Sequence, residues 1–199
     1  MPPLDTPLDF RKPVLTMARE LLYNDLVKEE AGKTIRLTIV ETEAYCEDDP
    51  ASHSYNGQTP RSEVMFGPPA HWYVYKCYGI HWMLNAVCGE KGRGEAVLIR
   101  AAEPVKGEDV VRDRRGVSGE EITNGPGKLA EALGVDGDDD GAEISPSSGL
   151  YVVKTDRDGP IYESPRVGIN EATERSWRFF TESDYVSKVS QNDIARRRD

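Results

Sequence analysis

The run Thr34-Ile-Arg-Leu-Thr-Ile-Val-Glu-Thr-Glu-Ala-Tyr45 limits the fold of this chain more than any other stretch. Apolar and polar residues alternate through Ile35, Leu37 and Ile39, and Glu41, Glu43 and Tyr45 continue the same parity. Side chains of a strand alternate faces with period two, so an unbroken strand puts both carboxylates on the face that the apolar residues give to the core. Like charges there raise each other's pKa, and removal from water raises it further. The pattern therefore predicts a sheet strand whose far end serves chemistry rather than packing.

A chain of 199 residues, 38% apolar and 30% charged, suits one soluble globular domain with a real core. It has no apolar run of membrane-spanning length, and its start, MPPLDTPLDFRKP, lacks the basic-then-apolar pattern of a secretion signal. The expectation is a cytoplasmic protein of prokaryotic type with no membrane association, whose ends, 1–13 and 188–199, are flexible. Cys46, Cys77 and Cys88 form no CxxC pair and read as reduced thiols. The formal charge of −10 opposes nonspecific attraction to a polyanion. Part of that charge is local, in Glu47-Asp48-Asp49 and between Asp136 and Glu143, and adaptation to high salt would give the same excess.

Local signals predict a helix from Thr16 to about Asn24, capped by Thr16. Strands are predicted at Leu26–Glu29 and Thr34–Tyr45, joined at Ala31-Gly32. A loop over Glu47–Pro69 follows, then a hairpin of Trp72–Cys77 and Ile80–Val87 turning at Tyr78-Gly79. A strand over Glu95–Ala102 is expected to stop before Pro104. Helices are predicted at Glu108–Arg115, acidic first and basic last, and at Pro126–Leu133, ended by Gly134. Tyr151–Lys154, Arg166–Ile169 and Trp177–Phe180 complete the strands, and Arg196-Arg197-Arg198 gives the tail a basic end.

Among these residues Glu43 is the leading candidate for a general base, with a plain salt bridge to Arg100 as the other reading; the two are compatible. Tyr78 either sits at an exposed hairpin tip, shaped like a wedge for stacked bases, or lies within the sheet if the turn is elsewhere. Tyr73 and Tyr75 share a strand face that suits core packing and base stacking equally. His53, His71 and His81 have no metal-ligand spacing, and no metal or cofactor is expected. Asp136-Gly-Asp138-Asp-Asp140-Gly141 opens like a calcium loop but has Ser147 where a closing Glu is needed, so it reads as a solvated acidic loop. Asn124-Gly-Pro-Gly-Lys128 is either a seat for one phosphate or an ordinary helix start. Arg112, Arg114 and Arg115 could extend that anionic track or be ordinary solvated helix charges.

The ordered set VETEAY, His53-Ser54, Thr59-Pro60-Arg61, Met65-Phe66, YVYKCYG, Asn85, VLIRAAEP and NGPGKL resembles the alkyladenine (3-methyladenine) DNA glycosylase family over roughly residues 15 to 185. The resemblance implies an α+β single domain built on a curved antiparallel sheet with flanking helices, like the C-terminal domain of formyltransferases. It implies a monomer acting on double-stranded DNA that contains damaged purines, and excision of 3-methyladenine, 7-methylguanine and, as further substrates, hypoxanthine and ethenoadenine, leaving an abasic site. By motif, Glu43 would activate the water and Arg100 would hold it. Tyr45, His53 and Tyr75 would sandwich the flipped base, and Asn85 would restrict purines with a bulky 2-amino group. Tyr78 would fill the gap in the duplex, while Arg61, Gly127 and Lys128 would meet the backbone. Ser62 stands where the family usually has Asn, and Lys76 and Cys77 replace more apolar residues.

Two other readings fit parts of the pattern. A hydrolase of free nucleosides would use Glu41 and Glu43 as a pair and need no wedge at Tyr78. A noncatalytic nucleic-acid-binding module would not depend on Glu43.

Overall fold

The computed structural model describes residues 8–188. Among the described residues, eight strands form one antiparallel sheet that curls into a half-barrel: β1 (Asp25–Glu30), β2 (Lys33–Tyr45), β3 (Trp72–Cys77), β4 (His81–Val87), β5 (Ala96–Lys106), β6 (Leu150–Val153), β7 (Tyr162–Ser164) and β8 (Arg178–Phe180). The main path runs β3-β4-β5-β2-β1-β6, and β8 pairs with the far end of β2 and with β7. Helices α1 (Val14–Glu20), α2 (Glu108–Arg115) and α3 (Pro126–Leu133) flank it. No helix among the described residues is long and apolar enough to cross a membrane.

β2 does not keep a single parity. The ladder with β5 skips Val40 between the pairs Ile39↔Ala102 and Glu41↔Ala101, then skips Arg100 between Glu41↔Ala101 and Thr42↔Ile99. Each skipped residue is a bulge, and each reverses the faces of the strand beyond it. Ile35, Leu37 and Ile39 therefore share the core with Ala44, at odd spacing, while Val97 and Ile99 share it with Ala102. Thr42 turns the same way and donates to Ala18 O of α1 at 2.8 Å. The expectation that Glu41 and Glu43 inherit the core face fails for this reason: the bulge sends them to the opposite, concave face, where other segments bury them completely.

The core lies between the convex face and the helices, with Met17, Leu21, Leu84, Ile99, Leu129 and Leu133 fully buried in it. Helix α1 starts at Val14 rather than at a Thr16 cap, because Pro13, at φ −54°, already supplies the entry and has no N–H to satisfy. It ends at Glu20 rather than near Asn24, since Tyr23 adopts φ 67° and gives its N–H to Ile39 O at 3.0 Å. Both predicted hairpin turns occur. Ala31 and Gly32 have φ 49° and 74°, and Tyr78 and Gly79 have 51° and 70°, the left-handed pairs that match strand twist. Helices α2 and α3 have the predicted bounds.

Other expectations are corrected. Pro104 does not stop β5; it pairs with Leu37 at a further register shift, where a missing N–H is tolerated. Arg166–Ile169 forms no strand, and the short strand beside β8 is Tyr162–Ser164 instead. Residues 8–13 are docked rather than loose: Phe10 is buried, and Gly89 N–H bonds Phe10 O at 2.9 Å and Lys12 O at 3.1 Å. The flexibility expected of residues 1–7 and 189–199, and the basic tail, lie outside the described residues.

Candidate active site

A cleft of about 710 Å³ opens on the concave face. Glu43, Tyr45, His53, Arg61, Tyr75, Tyr78, Asn85 and Arg100 all border it. Glu43 lies at its inner end. Val167 N–H donates to Glu43 Oε1 at 2.7 Å, and Tyr45 O–H donates to Oε2 at 2.9 Å. Arg100 Nη1 stands 3.2 Å from the same Oε2. A carboxylate has about four lone-pair sites, so among the described residues these three contacts leave one. Burial opposes the charge of Arg100, but Glu43 and Glu41 outweigh it and raise its pKa, so it remains a cation.

The walls are aromatic. Tyr73 and Tyr75, two apart on β3, set their rings 5.4 Å apart, and His53 meets Tyr75 edge-on at 4.6 Å. His53 Nδ1 and the Tyr73 hydroxyl share a hydrogen bond of 2.9 Å, while burial, helped by Arg61, lowers the His53 pKa to about 4. The imidazole is thus neutral near pH 7. Burial pushes Tyr73 up to about 12 and raises Tyr75 and Tyr45 too, so all three phenols stay protonated. Asn85 Nδ2 donates to Tyr73 O at 3.0 Å, which commits the amide nitrogen and leaves the oxygen as its group for a ligand.

Tyr45 is fixed from behind by a residue that sequence reasoning missed. Arg166 lies 4.6 Å from the centre of its ring and 5.3 Å from that of Trp177, while both Nη atoms grip Asp49, Nη2 at 2.9 Å. Arg166 and Asp49 are 117 residues apart, and Asp49 ends an acidic run that looks merely solvated, so only the tertiary fold reveals the pair. Val167 was likewise hidden in the predicted strand; its N–H serves Glu43 instead of a ladder. The signal that could have found this segment is the lone basic residue in Ser164-Pro165-Arg166-Val167-Gly168, a break pattern rather than a strand pattern.

At the rim, Tyr78 is 92% exposed and Ile80 71% exposed, so the hairpin tip carries two apolar side chains into solvent. This removes the reading in which Tyr78 is buried in the sheet. Arg61 stacks on Tyr75 at 5.2 Å, and Lys76 on Trp82 at 4.7 Å. Gly127 and Lys128 do not line the cleft but follow Pro126, which does. A Cβ on Gly127 would come within 3.0 Å of His81 Cβ, so glycine lets α3 sit against the hairpin. Lys128 Nζ bonds Asn124 Oδ1 at 2.8 Å. In the loop, Ser62 Oγ accepts from Thr59 N–H at 3.1 Å and closes the turn.

Several charges read as solvated are structural. Asp136 caps the following turn, Asp139 pairs with Lys28 at 3.0 Å, and Asp140 accepts from Val74 N–H at 2.8 Å. Arg114 and Arg115 pair with Glu30 and Glu131, which commits them away from an anionic track. Cys46, Cys77 and Cys88 are free thiols.

A family model described as methylpurine-DNA glycosylase matches residues 8–185, taking in the sheet, the cleft and the hairpin together. A protein of Carboxydothermus hydrogenoformans named "Putative 3-methyladenine DNA glycosylase" is 44% identical over 183 residues, covering 90% of this chain and 96% of its own. Proteins of the same name from Nitrosospira multiformis and Agrobacterium fabrum are 45% and 43% identical, over 86% and 92% of this chain and 87% and 92% of theirs. Fold, cleft and kinship define a DNA glycosylase, a hydrolase of DNA repair. The chain belongs to the methylpurine-DNA glycosylase family.

Proposed function

We propose that this glycosylase acts as a monomer on double-stranded DNA and excises alkylated and deaminated purines. 3-Methyladenine and 7-methylguanine are the primary substrates, and hypoxanthine and ethenoadenine are secondary ones. The damaged nucleotide rotates out of the duplex into the cleft, and Tyr78 takes its place in the stack. Tyr45, His53 and Tyr75 enclose the base, and Asn85 screens the 2-amino position. Arg61, Gly127 and Lys128 meet the phosphate backbone.

Glu43 takes a proton from a water held with the help of Arg100. The water oxygen bonds to C1′ as the bond from C1′ to the purine nitrogen breaks, and the electron pair leaves with the base. A purine methylated at a ring nitrogen is cationic before cleavage, so it departs neutral and requires no acid, whereas hypoxanthine and ethenoadenine are neutral in the nucleotide and take a proton from solvent as they leave. Lys76, the lysine on the cleft wall among the described residues, holds its ammonium over Trp82, which favours water over an amine as the nucleophile and an abasic site as the product. The observation that carries the reading is the fully buried Glu43 at the inner end of an aromatic cleft, with one lone pair unclaimed. Pairing of Glu41 with Glu43 in a nucleoside hydrolase fits less well, because Glu41 does not border the cleft.

Incubation with methylated duplex DNA tests the proposal. Free 3-methyladenine and alkali-sensitive abasic sites should accumulate with the wild-type protein, and Glu43→Gln should slow release by roughly a hundredfold to ten-thousandfold. Release that survives Glu43→Gln refutes it.

A further inference from the structure

Glu41 is as deeply buried as Glu43, and its bonds play no part in the chemistry above. Its Oε1 accepts from Arg100 Nε at 2.8 Å, Arg178 Nε at 2.6 Å and Ser187 Oγ at 2.7 Å, and its Oε2 accepts Ser187 N–H at 2.6 Å. Four bonds fill its lone pairs. Burial works against its charge, but Arg100 and Arg178, with both Ser187 bonds, outweigh it and hold the carboxyl below its usual range. Glu41 is therefore an anion at neutral pH.

Arg100 is shared between two carboxylates through different nitrogens, Nε toward Glu41 and Nη1 toward Glu43. A guanidinium left with one carboxylate prefers the two-pronged fork, which would occupy both oxygens or the last free lone pair of its partner. The bulge at Val40 makes the sharing possible, because it brings Glu41 onto the concave face beside Arg100. The segment after β8 completes it, running back so that Ser187 closes on Glu41 from the side away from the cleft.

We propose that Glu41 is a positioning residue of the reaction: by taking the Nε edge of Arg100 it limits that guanidinium to one contact with Glu43 and keeps a lone pair open for the attacking water, with Ser187 as the latch that holds Glu41 in place. This rests on Glu43 acting as the base. Glu41 and Tyr45 face it from β2, Arg100 from β5, Tyr75 from β3, and Arg178 from β8, where it is the register partner of Glu43. Arg166, ahead of Val167, is already paired with Asp49. Glu41 and Glu43 thus balance Arg100 and Arg178. Neutralising Glu41 leaves two guanidinium groups facing Glu43 alone and frees Arg100 to close on both oxygens of Glu43.

The experiment is single-turnover excision from methylated duplex DNA at saturating enzyme, with duplex affinity measured alongside, for wild type, Glu43→Gln, Glu41→Gln and Ser187→Ala. For Glu41→Gln the plateau rate constant should fall roughly a hundredfold, the scale of a misplaced reacting group, while affinity for the duplex is retained. Ser187→Ala removes one hydroxyl and keeps the backbone N–H, so it answers the question even if Glu41→Gln does not fold; it should slow excision about fivefold, the scale of a lost hydrogen bond, with affinity likewise retained. A merely structural role would lower the active fraction and leave the rate constant untouched, and that result in Ser187→Ala overturns the proposal. If the wild type is inactive, or Glu43→Gln is not impaired, the failure belongs to the reading of Glu43; if those two behave as expected and the Glu41 and Ser187 variants match wild type, it belongs to this inference alone.

Discussion

Two fully buried carboxylates, Asp25 at the start of β1 and Glu43 near the end of β2, each lie among arginines, yet only Glu43 borders the cleft. Asp25 accepts from Arg36 Nε and Thr38 Oγ1 and takes both Nη atoms of Arg157, four bonds in all. Burial opposes its charge, and these partners outweigh it and lower its pKa. Its arginines remain 30% and 40% exposed, so Asp25 is an anchor open to water on its cationic side. At Glu43 the arrangement is inverted: Arg100 is 7% exposed and Arg178 1%, and the opening faces the carboxylate instead. A buried acid becomes a candidate for chemistry when it keeps a lone pair unclaimed on the side from which a ligand enters, and burial alone does not meet that condition.

Removing the charge from each carboxylate is the most direct way to break this comparison. Glu43→Gln should remove nearly all excision and also cost stability, because buried Arg100 loses one of its two carboxylates. Asp25→Asn should cost stability alone, about 2–4 kcal/mol, less than a fully closed pair because Arg36 and Arg157 can turn to water, with the excision rate of the folded protein unchanged. Denaturant unfolding and single-turnover kinetics on the same preparations separate the two. A rate loss in Asp25→Asn would mean that the two carboxylate sites are coupled.

The rim of the open end sharpens the contrast. Tyr78→Ser removes an exposed ring that touches little of the folded protein, so stability should hold. Excision from duplex DNA should drop about tenfold, the worth of one aromatic stacked on a base. Equal loss on a single-stranded methylated oligonucleotide would count against the wedge, since a single strand leaves no gap to fill.

What could be read in advance was set by local chemistry. The Ala31-Gly32 and Tyr78-Gly79 turns, the dipole-ordered charges of α2, and Pro126 and Gly134 around α3 are all signals of a few adjacent residues. The two bulges were not legible, because Val40 becomes a bulge only against β5 and Arg100 only against β2, and either strand alone reads as regular. The same holds for Arg166 and Asp49, whose pairing spans most of the chain. For the cleft, Glu43 and Arg100 emerged from position and chemistry, but the grouping of His53, Arg61 and Asn85 around them came from the family pattern. Glu41 was legible as a buried acid and not as a partner of Arg100, because parity without the bulge sends it to the wrong face.

The smallest expected effect lies in His53, a group at the open end whose charge the fold withholds. Burial, with Arg61 nearby, lowers its pKa from 6.5 to about 4. In the unfolded chain the imidazole binds a proton as pH falls through about 6.5, while the folded protein does not bind it until about 4. Between those values the unfolded form holds more protons, so the stability tied to neutral His53 is fully present above that window and is lost as pH drops through it. The ring keeps partial access to water through the cleft, so the effect should be modest. Denaturation midpoints measured across the window should fall more steeply for wild type than for His53→Gln, which carries no titrating ring. Parallel curves would mean that the cleft wall admits the imidazolium, and the cleft would then exclude charge no better than the surroundings of Asp25 do.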